Sequence, residues 1–321
     1  ANSFKNYPTS QNKIVKEDNQ YIYINCPLNN INFLTKHHLG TQFGRELVYD
    51  CHYETDIKFK KMSDEMQGIF PVLQTPLTED GQLDKDSMRR QVEFCVEAGA
   101  HGLVFPVLGS EFQYLSEKER EDMTAVLVEA ANGRLPVVAG VAGPSKAIAV
   151  ECTHGAVRAG ADAVVALPPY LAAPTEDEVR DYYLAIAEVA GRPVFLQHTS
   201  GGLTTKTMCE MFENIEHISY LKEEQMPSAH QISSVVKSVG EGCLGIFGGG
   251  HGRWMISELR RGATGFMPAV EGVDLHVQIW DAFKSENESK ARELFNVLLP
   301  QINLILLLGH SVIKEILVRR G

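Results

Sequence analysis

Lys222 closes a short apolar run, Ile218-Ser219-Tyr220-Leu221, and is followed at once by Glu223 and Glu224. A lysine at the C-terminal end of a buried strand is partly shielded from water. Desolvation disfavours the ammonium form and exposes a neutral amine, which is a nucleophile. Such an amine condenses with a ketone to an imine, and the imine acidifies the neighbouring carbon. Strand side chains alternate, so Lys222 and Glu224 project to the same side. An amine and a carboxylate on one face are the minimum for proton transfer beside an imine. The plainer alternative is a strand end meeting solvent, since Lys-Glu-Glu is a common surface string. The surrounding elements decide between the two.

From about residue 63 onward, short apolar runs alternate with helical patterns. The candidate strands are Gly68–Gln74, His101–Val107, Pro136–Val141, Ala163–Leu167, Pro193–Gln197, Ile218–Glu224, Leu244–Gly249 and Gly262–Ala269. Most are continuous Val/Ile/Leu/Phe runs, the pattern of parallel strands buried on both faces. The stretches between them are long enough for crossover helices. Ser116-Glu117-Lys118-Glu119 and Thr175-Glu176-Asp177-Glu178 fit the capping box that starts a helix. After the second, Val179, Tyr182, Tyr183, Ile186, Ala187 and Ala190 form one apolar stripe at helical spacing. Eight strand–helix units predict an α/β fold, a (β/α)8 TIM barrel with further helices at its C-terminus. The competing doubly wound sheet would carry a Gly-rich phosphate turn after its first strand. Here that strand runs into Thr75-Pro76-Leu77.

Chemistry in such a barrel sits at the C-terminal ends of the strands. Those ends hold Gly109, Ser110 and Glu111 after the second strand, and Pro168, Pro169 and Tyr170 after the fourth. Gln197 and His198 end the fifth, Lys222 and Glu224 the sixth, Gly248 to Gly250 the seventh, and Met267 and Pro268 the eighth. The run Gly248-Gly249-Gly250-His251-Gly252 either lets backbone N–H groups approach an anionic oxygen or only turns the chain.

Pro136-Val137-Val138-Ala139-Gly140, Leu167-Pro168-Pro169-Tyr170, Lys222-Glu223 and Arg261-Gly262-Ala263-Thr264-Gly265 resemble the dihydrodipicolinate synthase/N-acetylneuraminate lyase family. The resemblance covers residues 66 to 321 and rests on the order and spacing of these motifs together. It implies a (β/α)8 barrel, usually tetrameric, in which a lysine at the position of Lys222 forms a Schiff base with a 2-keto acid. The departures are informative. The family's Gly-Thr-Thr-Gly-Glu motif aligns with Val107-Leu108-Gly109-Ser110-Glu111, so both threonines are missing. Its strand-five tyrosine aligns with Gln197, and a tyrosine donated across the subunit interface aligns with Leu171. Its substrate-holding arginine has no counterpart in Gln197-His198-Thr199-Ser200-Gly201-Gly202. A glutamine only donates and accepts hydrogen bonds; it cannot shuttle a proton as a phenol can. The same changes occur in a branch similar to the 2-keto-3-deoxy-L-arabonate dehydratases. That branch has Ser-Glu-Gln-Phe where this chain has Ser110-Glu111-Phe112-Gln113, a glutamine at the place of Gln197, and Lys-x-Glu at Lys222 and Glu224.

The resemblance implies dehydration of a 2-keto-3-deoxy sugar acid, with Lys222, Glu224 and Gln197 as catalytic residues. Lys222 forms the imine, Glu224 takes the C3 proton and returns it to the departing C4 hydroxyl, and Gln197 orients the leaving group or the imine. Ser110 and the Gly248–Gly249 backbone are expected to hold the substrate carboxylate. Gly109 and Met267 belong to the same wall, and Glu111 braces its loop more than it meets substrate. A pyruvate-releasing aldolase is the alternative within the family, but the missing tyrosine is the group that usually deprotonates the C4 hydroxyl. A non-catalytic barrel used for binding is the alternative outside it; retention of Lys222 with Glu224 argues against that.

The formal net charge of −11 argues against a nucleic-acid partner and gives no attraction to anionic lipid. Cys26, Cys51, Cys95, Cys152, Cys209 and Cys243 are far apart, without a CxxC pair or metal-ligand spacing to the histidines. Free thiols in a reducing cytoplasm are expected, with no metal and no other cofactor. No signal-peptide pattern opens the sequence at Ala1. Ile302–Leu308 is too short for a membrane span and is interrupted by Gly309-His310. The expected partners are a small 2-keto acid and further copies of the chain, as a dimer or tetramer. Residues 1–62 form a distinct extension before the barrel of 63–321. They hold eight asparagines against five in the remainder, a compositional break that points to a separate origin. Tyr21-Ile22-Tyr23-Ile24 and Glu46-Leu47-Val48-Tyr49 are candidate strands there, framing Phe33-Leu34.

Overall fold

The computed structural model describes Lys13–Asp18, Tyr21–Cys26, Ile31–Lys36 and residues 66–199 and 203–321. The chain divides into two compact units, Ala1–Lys58 and Phe59–Gly321. In the first, β1 (Lys13–Asp18), β2 (Tyr21–Cys26) and β3 (Ile31–Lys36) form an antiparallel meander in chain order. Tyr21 to Ile24 lie in β2 as expected, and Tyr23 and Ile24 pair with Leu34 and Phe33 of β3. The strand expected at Glu46–Tyr49 lies outside the described residues.

In the second unit all eight expected barrel strands form. They are β4 (Gly68–Ile69), β5 (Leu103–Phe105), β6 (Val137–Gly140), β7 (Ala163–Ala166), β8 (Val194–His198), β9 (Ile218–Glu223), β10 (Gly245–Gly248) and β11 (Gly265–Phe266). Every pair is parallel, and neighbours follow chain order from β5 to β11, with β4 beside β11. Val72 bridges both Val104 and Ala269, which brings β4 and β5 side by side and closes the ring. Three strands are shorter than the apolar runs that announce them. Pro71, Pro106 and Pro268 lie in those runs and lack the N–H that a ladder needs.

The helices that follow the strands are α1 (Lys85–Glu97), α2 (Glu117–Ala131), α3 (Lys146–Ala159), α4 (Glu176–Ala190), α5 (Thr205–Asn214), α6 (Ser228–Ser238), α7 (Met255–Leu259) and α8 (Val273–Lys284). Both expected capping boxes are made. The Thr175 hydroxyl accepts from the Glu178 N–H, and the Glu178 carboxylate accepts from the Thr175 N–H at 2.7 Å. The six stripe residues of α4 are all buried. Apolar side chains between strands and helices form the larger core. A second core, including Phe70, Val104, Val165, Phe195, Tyr220 and Phe247, fills the barrel itself.

Two further helices, α9 (Glu288–Leu308) and α10 (His310–Arg319), complete the chain. Among the described residues α9 is the one helix long and apolar enough to cross a membrane. It also carries Pro300, packs on α8 and turns Ala291, Leu298, Ile302 and Ile305 inward, leaving Leu306, Leu307 and Leu308 exposed.

Candidate active site at the end of the sixth barrel strand

Gln197 of β8 stands in register with Lys222 of β9. Period-2 alternation puts Phe195 beneath Gln197 and Tyr220 beneath Lys222. These two rings stack at 4.5 Å, and Phe247 packs edge-on against both. This aromatic layer gives the lysine a dry floor. The Lys222 side chain is 4% exposed, and its Nζ lies 3.5 Å from Glu224 Oε1.

Glu224 is held on both carboxylate oxygens. Gln197 Nε2 donates to Oε2 at 2.5 Å, and the Gly250 N–H donates to Oε1 at 3.2 Å. The Glu224 backbone N–H donates to the His198 carbonyl at 2.8 Å, which extends the β8–β9 pairing to the site itself. Burial pushes the Glu224 carboxyl up, but the charge of Lys222 and the donors Gln197 and Gly250 outweigh it. The net effect holds the group below the usual carboxylate range, so it is a carboxylate near neutrality.

The Gly-rich loop after β10 serves this carboxylate. A Cβ on Gly249 would stand 2.1 Å from Glu224 Oε1 and 2.4 Å from its Cγ. Gly249 has φ −125, outside the left-handed region, and the close approach of Glu224 calls for glycine here. Gly248 and Gly249 were expected to hold the substrate carboxylate; the donor of this run that meets a carboxylate in the structure is the next residue, Gly250. The anionic oxygen that the loop approaches belongs to Glu224, through the Gly250 N–H. Gly248 faces the helix layer, where a Cβ would meet Glu258 Oε2 at 2.2 Å.

Ser110 also differs from expectation. It is fully buried, and its hydroxyl donates to the Leu73 carbonyl at 2.6 Å, so that donor is spent within the loop. Its own carbonyl accepts from Thr75 Oγ1 at 2.5 Å. The neighbouring Gly109 is half-buried; its carbonyl accepts from Gln74 Nε2 at 2.7 Å. Leu108 and Gly109 open the short 3-10 helix Leu108–Ser110. Glu111 has φ 62 and pairs with Lys314 of α10, which ties the β5 loop to the C-terminal helix. Met267 is 2% exposed within the barrel's inner core, so it contributes to the floor.

The outward side of the same strand ends carries polar groups that the sequence reading left without a role. His198 Nδ1 lies 2.8 Å from Glu223 Oε2, both buried. Burial raises the Glu223 carboxyl against the pull of His198 and the Gln225 N–H. On α7, Glu258 accepts from Ser228 Oγ at 2.5 Å, and its Oε2 has no hydrogen-bond partner. Strand parity alone assigns His198 and Glu223 to the face opposite Gln197 and Lys222. Their pairing required the β8–β9 register. Among the described residues no group of three or more His, Cys, Asp or Glu side chains is arranged to hold a metal ion.

A family model described as the dihydrodipicolinate synthetase family matches residues 65–321. An L-2-keto-3-deoxyarabonate dehydratase of Azospirillum brasilense is 27% identical over 243 residues, 74% of this chain and 79% of that protein. A 4-hydroxy-tetrahydrodipicolinate synthase of Methanothrix thermoacetophila is 28% identical over 245 residues, 75% and 82% of the two chains. Among solved structures, the 4-hydroxy-tetrahydrodipicolinate synthase of Methylacidiphilum fumariolicum SolV superposes with a TM-score of 0.72 at 22% identity, covering 76% of this chain and 82% of that one. YagE from E. coli K12, solved with pyruvate, superposes with a TM-score of 0.73 at 24% identity, covering 79% and 88%. At these identities the structural likeness establishes the barrel and no more.

Proposed function

The chain belongs to the dihydrodipicolinate synthetase family of lyases, and from that premise we propose that it dehydrates a 2-keto-3-deoxy sugar acid through an imine on Lys222. One observation carries the reading: a lysine 4% exposed on an aromatic floor, with a carboxylate 3.5 Å away. The Azospirillum relative named as an L-2-keto-3-deoxyarabonate dehydratase supports the substrate class.

In this mechanism Lys222 Nζ adds to the C2 carbonyl and water leaves to form the imine. The Glu224 carboxylate removes a proton from C3, and the bonding electrons move into the enamine. The enamine then expels the C4 hydroxyl, which takes the proton from Glu224 and departs as water. A further water hydrolyses the imine and restores the amine. Glu224 enters the reaction as the carboxylate, the form its first task needs, and the hydrogen bond from Gln197 fixes the group that performs both. The Leu108 and Gly109 N–H groups, at the start of the 3-10 helix in the β5 loop, are the donors proposed for the substrate carboxylate, since Ser110 has spent its hydroxyl. An aldolase would need a base for the C4 hydroxyl, and Gln197 stands where the family's tyrosine would be. Assembly into a homo-oligomer belongs to the same reading, supported by Leu171, 79% exposed. So does a reducing cytoplasmic setting, supported by the free buried thiols of Cys95, Cys152, Cys209 and Cys243.

The test is a borohydride trap with 2-keto-3-deoxy-L-arabonate, followed by intact and peptide mass. An adduct on Lys222 at the mass of the dehydrated product supports dehydration, and Lys222→Ala should lose it. An adduct at the mass of pyruvate moves the assignment to an aldolase. No adduct with this acid or with pyruvate leaves a barrel that only binds.

A further inference from the structure

We propose that Lys314 of α10 is a positioning residue of this site: through its ion pair with Glu111 it holds the β5 loop in place for the substrate carboxylate. The inference rests on the imine reading above, with the β5 loop as the seat of that carboxylate, and it gives the C-terminal helix a part in binding.

The loop rises from the chamber of Lys222. It leaves β5 through Val107, which is buried in the inner core with Phe195, Tyr220 and Phe247, the rings of the lysine's floor. A Cβ on Gly109 would stand 3.1 Å from Cγ1 of Val72, a member of the same core. One side of the loop is fixed by the segment after β4. Gln74 Nε2 donates to the Gly109 carbonyl at 2.7 Å, Thr75 Oγ1 to the Ser110 carbonyl at 2.5 Å, and Ser110 Oγ to the Leu73 carbonyl at 2.6 Å. The other side turns on Glu111, which ends the 3-10 turn Leu108–Ser110 and begins the next, Phe112–Tyr114. Its φ is 62, a conformation that glycine adopts freely and glutamate does not favour. What glutamate brings to this turn is a carboxylate, and that carboxylate pairs with the Lys314 ammonium.

Lys314 is mounted on a fixed element. Its neighbour Ile313 is fully buried in a small core with Ile305 of α9 and with Ala269, which bridges Val72. Just past α10, Arg320 donates to the Asp274 carboxylate at 2.6 Å and to the Glu271 carbonyl at 3.3 Å, and its guanidinium lies over the Phe94 ring. These contacts hold α10 to the barrel on both sides of Lys314 independently of Glu111. The cation is therefore the anchored partner, and the carboxylate in the unfavoured turn is the one it places.

The sign of one substitution separates positioning from direct attraction. If Lys314 drew the substrate carboxylate by its own charge, neutralising Glu111 would free that charge and tighten binding. If Lys314 acts through Glu111, neutralising either partner releases the turn and weakens binding alike.

The test follows borohydride trapping on Lys222 against the concentration of pyruvate and of methyl pyruvate, its neutral ester. Wild-type protein is compared with Lys314→Met, Glu111→Gln and the double variant. Each single variant should raise the half-saturating pyruvate concentration roughly tenfold, the scale of one misaligned hydrogen bond to a charged group. The double variant should lose no more than either single one, because both remove the same interaction. Half-saturation by the ester should move by less than about twofold, since it lacks the charge that strengthens those bonds. With 2-keto-3-deoxy-L-arabonate, KM should rise and kcat stay within about threefold, the mark of lost uniform binding. Lys314→Arg, which keeps the cation, should stay close to wild type. A merely structural ion pair would instead move pyruvate and its ester together or move neither. Unchanged or tighter pyruvate trapping in Glu111→Gln, equal losses on pyruvate and the ester, or additive losses in the double variant each overturn the proposal while the imine reading stands. Failure of wild-type protein to trap pyruvate overturns the imine reading, and this inference with it.

Discussion

Gly249→Ala should disable Glu224 without touching Lys222. The new Cβ would lie 2.1 Å from Oε1, 2.4 Å from Cγ and 2.5 Å from Cδ of Glu224, where ordinary contact begins at 3.4 Å. The carboxylate must therefore retreat by about 1.3 Å or the loop must open by as much. Either movement breaks the 3.2 Å bond from Gly250 and strains the 2.5 Å bond from Gln197. Misplacing a reacting group by about 1 Å costs on the order of a hundredfold in rate, about 2.7 kcal/mol of barrier. Gly249 has φ −125, outside the left-handed region, so the crowding at the carboxylate is the main perturbation that alanine brings. Gly250→Ala is the matching control. Its Cβ meets nothing within 4 Å, but its φ of +55 makes the substitution a backbone perturbation.

The assay is single-turnover dehydration alongside borohydride trapping of pyruvate. In Gly249→Ala, trapping should persist near wild-type extent while turnover falls roughly a hundredfold. Wild-type turnover in that variant would refute a proton-transfer role for Glu224 in its present place. Parallel loss of trapping would show that the loop positions Lys222 as well, contrary to the geometry described.

Other tests address the frame. Glu258 is 1% exposed and its carboxyl is pushed up to about 7 by burial, with Glu223 and Glu224 adding and Ser228 opposing. A raised folded pKa gives stability that is complete below the unfolded value of 4.5 and is lost as pH rises through about 7. Its full size is on the order of 3 kcal/mol. The melting temperature of wild-type protein should therefore fall relative to Glu258→Gln between pH 5.5 and 8, conditions chosen to span most of that roughly 2.5-unit window; parallel profiles would show that the carboxyl is ionised throughout. Thr175→Ala removes the hydroxyl that accepts from the Glu178 N–H and should cost about 1 kcal/mol, or roughly 2–4 °C in Tm; an unchanged Tm would mean that packing of the α4 stripe holds the helix start alone.

What the sequence reveals about this site follows the range of the interaction involved. Lys222 and Glu224 could be put on one face from their spacing alone, because strand alternation is a property of two adjacent peptide units. The eight strands and the two capping boxes are local in the same sense. Ser110 was misplaced because its hydroxyl is consumed by Leu73, on another strand end 37 positions away, and no pattern within its own loop records that bond. For the Gly-rich run after β10 the sequence leaves open whether it approaches an anionic oxygen or only turns the chain; the bond from Gly250 to Glu224 spans 26 positions and no local spacing records it. That bond bears on the logic of the site. A loop of glycines that solvated the substrate would leave the catalytic carboxylate to be fixed by Lys222 and Gln197 alone. A loop that solvates Glu224 spends the Gly250 donor on keeping that carboxylate charged and aimed, and under the proposed mechanism Gly249 then matters to proton transfer through the space it leaves, although it has no side chain.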